Sequence, residues 1–236
     1  MASIKINPNT PIIRDRNTTV IILSFWLMRR IVGILGLSIV ILLPLVSLLF
    51  KQCYTVQESI SHYYYTISGD VFVGLVCAVA FFLILYPGEG RLEDIWTNIA
   101  GLCALGVAFF PTSYHQQNTT CTEFSFIYPE WVSTIHLLSA GAFFIILGGV
   151  AFFQFPRITA PNENKNKRKS RNRFYRVCGI IMWLCILTLI PMTFLDNYSD
   201  FLSKHKIVFI VEVVALVAFG MCWLIKGVVL ELKITK

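Results

Sequence analysis

The sequence predicts an all-α bundle of six transmembrane helices with both termini in the cytoplasm. Three observations carry this. Hydrophobic residues make up 56% of the 236-residue chain and charged residues only 14%, against about 25% charged in a soluble domain. Six apolar runs approach or reach the length that about 30 Å of hydrocarbon demands of a helix. All but three of the 20 lysines and arginines fall on one side of the resulting topology. Together these exclude a soluble cytosolic enzyme, a disordered regulator and a nucleic-acid-binding domain.

The first 30 residues read as a cytoplasmic segment. Within it, Val20–Met28 carries Phe25 and Trp26 and ends at Arg29-Arg30. That stretch reads either as an interfacial helix or as an extension of the first span. No cleavable signal peptide is expected, because no small-residue cleavage site follows an apolar core. The membrane domain is expected over residues 31–230, with spans near 31–50, 71–86, 95–111, 132–155, 174–195 and 207–225. Period-two alternation is absent, so helices are the expected way to satisfy the backbone in lipid. Pro191 is expected to kink the fifth span. Residues 156–173 form a basic loop whose run Asn162–Arg173 reads as a solvated cytoplasmic linker, and residues 231–236 form a short tail. The same run is also a candidate contact for anionic lipid. With Lys51, Lys204 and Lys206 alone opposite, the positive-inside rule sets the orientation. It also explains the net charge of +7 without a nucleic-acid partner.

Polar residues inside a bilayer are costly and mark sites. Here they collect on the outer side. The loop before the second span contains Glu58, Ser59, Ser61, His62 and then Asp70; the third span ends near Thr112, with His115 beyond. His136 lies about 7 Å below the outer end of the fourth span and Glu212 about 8 Å below that of the sixth, at 1.5 Å per residue. Asp70, His136 and Glu212 therefore share a depth on three spans. If those helices are neighbours, the eight residues Glu58, Ser59, Ser61, His62, Asp70, Thr112, His136 and Glu212 line one outer-leaflet pocket.

Such a pocket would bind a lipid headgroup, an ion or a small solute, and this is the leading expectation. His62, Asp70, His136 and Glu212 would also suit a divalent ion such as zinc, so a metal-dependent lipid hydrolase is the alternative. No HxxxH or HExxH motif supports it, no cofactor is otherwise implied, and no catalytic residue is assigned. A small transporter or channel is a further alternative. Each residue also has a structural reading. Asp70 would favour the dipole of a helix capped by Ser68, His136 would bond a neighbouring helix, and Tyr63–Tyr65 would form an interfacial aromatic belt with Tyr128 and Trp131. Cys53 and Cys121 are the candidate disulfide pair, and the other five cysteines lie in apolar runs.

The stretches Glu58–Thr66 (ESISHYYYT), Gly69–Gly74, Ala100–Thr112, Ile135–Ala140 and Glu212–Gly227 resemble a pattern in uncharacterised bacterial membrane proteins with a six-helix core. The resemblance covers about residues 56–227. A more distant likeness of architecture runs to autophagy-modulator-like six-span proteins. The first resemblance implies a six-helix fold and its topology, but no reaction. Membrane lipids are the expected partners, a homo-oligomer is an option, and the bacterial cytoplasmic membrane is the expected location. The combination of Ser, His and Asp in a bundle is similar to hydrolases of the alkaline-ceramidase type. The chain departs from these in having six expected spans rather than seven, and it lacks paired histidines on a late helix.

Overall fold

The computed structural model describes residues 16–51, 55–113, 128–157, 164–194 and 205–234. All regular structure among them is helical. The main helices are α1 (Arg16–Lys51), α2 (Gly69–Ile84), α3 (Arg91–Phe109), α4 (Glu130–Gly149), α5 (Lys165–Phe194) and α6 (Ile207–Ile234). Five of them are long and apolar enough to cross a membrane; α2, with 16 residues, is a shorter apolar helix. Ile41, Leu49, Leu138 and Leu187 are more than 60% exposed on the bundle's outer surface. A surface this apolar suits lipid rather than water.

The helices run alternately up and down and close into a ring. Each packs on its chain neighbours, and α6 returns to pack on both α5 and α1, the most extensive contact of all. Glycine makes that closure possible. A Cβ on Gly33 would stand 2.7 Å from the Gly220 carbonyl oxygen, and one on Gly220 would stand 2.9 Å from that of Gly33. The two backbones touch where only hydrogen fits, as in small-residue packing between membrane helices.

The stretch before residue 31 is helical from Arg16 and continuous with the first span, the second of the two readings of Val20–Met28. Two elements differ from the sequence expectation. The basic run is helical from Lys165, not an open linker. Asn164 starts it, its side chain accepting from the Asn166 N–H at 2.8 Å, and lysine and arginine are good helix formers. Tyr63 and Tyr65 are only 1% and 2% exposed, packed in a short 3-10 turn (Ser61–Tyr65) instead of an interfacial belt. Trp131 and Tyr128 are exposed, as a belt requires. Cys53, Cys121 and His115 lie outside the described residues.

At the end of the ring where α1 contributes Arg29, charge is buried as a network. Arg29 Nε donates to the Tyr86 hydroxyl at 2.6 Å, and that hydroxyl donates to Glu93 at 2.7 Å. Arg29 Nη1 and Lys226 Nζ pair with Glu89 at 2.9 and 3.7 Å. Lys226 also stands 4.8 Å from the centre of the Phe155 ring. Trp223, fully buried, packs edge-on to both Tyr86 and Phe155. The cluster thus joins α1, the α2–α3 connection, α3, the turn after α4 (Phe155–Arg157) and α6.

Removing one member of a buried ion cluster leaves its partners uncompensated, at about 3–5 kcal/mol. Arg29→Met is therefore expected to lower the Tm in mild detergent by well over 5 °C. Arg29→Lys should recover only part of it, because one ammonium cannot reproduce the guanidinium's reach to both Tyr86 and Glu89. A Tm for Arg29→Met within a degree of wild type would show that the cluster does not hold this end together.

Candidate functional site

The opposite end of the ring is closed by the segment between α1 and α2. Its residues 57–68 fold inward because their polar groups find partners on four helices. Ser68 sits at the N-cap of α2, but its hydroxyl donates to the Leu43 carbonyl of α1 at 2.8 Å and lies 2.9 Å from the Ser47 hydroxyl, instead of capping α2. Tyr65 O–H donates to the Thr112 carbonyl at the end of α3 at 2.6 Å. The Glu58 carbonyl accepts from Phe209 N–H in α6 at 2.9 Å, while its carboxylate faces Lys206 at 3.9 Å.

Two deeper bonds fix the middle of the segment. Glu212, from the second turn of α6, accepts from the Ile60 backbone N–H at 2.6 Å and from the Ser59 hydroxyl, which lies 2.8 Å from each carboxylate oxygen. Ser59 Oγ in turn accepts from the Ser61 N–H at 3.1 Å. His136, from α4, bridges α3 to the same segment. Its Nδ1 lies 2.7 Å from the Phe110 carbonyl and its Nε2 lies 3.0 Å from Ser61 Oγ. A carbonyl can only accept, so Nδ1 carries the proton and Nε2 accepts from the serine.

The structure brings together Ser59, Ser61, His136 and Glu212. It does not bring in Asp70, which is exposed in the first turn of α2. Glu58 points to Lys206, and Thr112 contributes its backbone carbonyl. The expected metal set of His62, Asp70, His136 and Glu212 does not assemble: among the described residues no group of three or more His, Cys, Asp or Glu side chains is placed to hold a metal ion. Asp70 is exposed whereas His136 is buried, so similar positions along their spans do not bring these side chains together.

His62 lies beside this group. Burial pushes its imidazole from 6.5 down to about 4; Glu58 opposes that shift, and His136 and Lys206 add to it. Burial likewise pushes the Tyr65 phenol up to about 12, keeping it a donor to Thr112.

Beneath Ser61 and Glu212 lies a cavity of about 80 Å³ between the helices. Its walls are apolar side chains of five helices, among them Ile39, Phe72, Val107, Phe143 and Leu216. These residues carry no signal in the sequence, because an apolar residue facing a cavity reads like one facing a neighbour. No family model, curated protein or solved structure matches the chain.

A histidine held neutral in the folded state contributes stability that is full above its unfolded pKa and is lost as pH falls toward the folded value. For His62 the window is pH 6.5 down to about 4. Across it, wild type is expected to lose several degrees of Tm more than His62→Gln. Parallel curves for the two proteins would mean that His62 is not held neutral.

Proposed function

We propose that the chain is a six-span membrane protein with both termini in the cytoplasm, and that it binds a membrane amphiphile in the central cavity. The polar head would meet Ser61 and Glu212 in the outer leaflet, and the apolar part would lie among Phe72, Phe143 and their neighbours. The observation that carries this reading is the cavity itself: apolar walls from five helices meeting a polar roof at one end. Apolar cavities of this scale stay dry and accept apolar groups, and a few convergent polar groups at one side orient a ligand.

The topology supports the same reading. At 1.5 Å per residue the 16-residue α2 covers about 24 Å, within reach of a locally thinned bilayer. The excess of lysine and arginine lies at the Arg29 end, which assigns that end to the cytoplasm. The resemblance to six-helix bacterial membrane proteins agrees and points to the cytoplasmic membrane. Binding is favoured over hydrolysis because the residues that would hold a metal are not gathered.

Native mass spectrometry of protein extracted in mild detergent tests the proposal. Wild type is expected to retain an amphiphile that Ala104→Leu and Val107→Phe, which fill the cavity, retain about tenfold less, a loss of about 1.4 kcal/mol. Either wild type free of bound amphiphile, or equal retention by folded cavity-filling variants, would overturn it.

A further inference from the structure

The cavity wall contains one ionisable group, Glu212. Its carboxylate receives hydrogen bonds from Ser59 and Ile60, yet among the described residues no lysine, arginine or histidine pairs with it. Two of the basic groups at this end, Lys206 and His136, are directed elsewhere. Lys206 faces Glu58 at 3.9 Å. Both ring nitrogens of His136 are committed to Phe110 and Ser61. The contrast with the other end of the ring is direct, since there Glu89 meets both Arg29 and Lys226.

An isolated carboxylate in apolar surroundings is costly, and a counter-charge or a proton must offset it. Donors from Ser59 and Ile60 reduce that cost without cancelling the charge. Oε1 accepts only from Ser59, whereas Oε2 accepts from Ser59 and Ile60, so the first oxygen keeps more acceptor capacity. A ligand that enters the cavity with a positive head satisfies the carboxylate and fills the apolar space at once.

We infer that the ligand is a cationic amphiphile, an alkyl ammonium whose charged nitrogen pairs with Glu212 and whose apolar chain occupies the space between Phe72 and Phe143. This rests on the binding reading above and adds the charge of the head group. The roof is selective by elimination of the other charges. An anionic head would face Glu212 directly, and like charges brought together out of water repel strongly. A neutral hydroxyl would hydrogen-bond the carboxylate but leave its charge uncompensated.

The test uses wild-type protein in a non-ionic detergent with three probes of equal chain length: n-hexylamine, n-hexanol and n-hexanoate. Binding is read at neutral pH as the concentration giving half-maximal thermal stabilisation. Hexylamine is expected to bind at least about tenfold more tightly than hexanol, with hexanoate weakest. Glu212→Gln keeps an acceptor for Ile60 and is expected to bring hexylamine to the level of hexanol. Equal binding of amine and alcohol by wild type would overturn the charge assignment while leaving the cavity reading standing. An amine preference that survives in folded Glu212→Gln would overturn it too. If none of the three binds, both readings fall. The wild-type comparison needs no variant to fold.

Discussion

The carboxylate of Glu212 holding the Ser59–Ile60 backbone is the contact on which the rest of this end depends. A carboxylate that accepts a main-chain N–H and a hydroxyl makes charge-assisted bonds, each worth about 1.5–3 kcal/mol. Without it, Ile60 N–H would be a buried orphan and the segment would keep only the Glu58–Phe209 backbone bond to α6. With it, residues 57–68 lie across the ring as a roof over the space beneath. His136 makes the second tie, from α3 through the imidazole to Ser61. Its tautomer follows from the Phe110 carbonyl, so the geometry of α3 determines which nitrogen meets the serine.

Both ends of the ring obey one rule, that buried polar groups must be paired, but they do so differently. At the Arg29 end the pairing is between full charges carried by separate segments, with Tyr86 passing a hydrogen bond from guanidinium to carboxylate. At the roofed end it is between a single carboxylate and neutral donors. The first arrangement ties α1, α3 and α6 firmly. The second leaves a charge in reserve against an apolar space. A ring that is cross-linked at one end and roofed at the other keeps its centre open without collapsing, which is how bulky side chains such as Phe72 and Phe143 come to line a void.

Much of the fold was legible because apolar run length is a strong signal. The positions of the helices follow the runs; the ends do not, since helix persists wherever lysine and arginine allow it, as at Lys165 and beyond Lys226. The candidate site was legible in part. Glu212 and His136 stood out because a polar group within an apolar run needs a partner, and they do share the roof. Asp70 was misplaced because depth along a helix says nothing about azimuth. The tyrosines were misplaced because aromatic residues near a span suit an interface equally well as a buried turn. The Arg29 cluster was hidden in plain view. Arg29 and Lys226 look like ordinary flanking charges until Glu89 and Glu93, acids set among basic flanks, are recognised as their partners.

Amide hydrogen exchange across residues 57–66, read by mass spectrometry in mild detergent, tests the roof most directly. The Ile60 amide should be protected in wild type and exchange roughly tenfold or more faster in Glu212→Ala, with protection of α3 and α5 unchanged. Equal protection of this segment in both proteins would contradict the claim that Glu212 holds the roof.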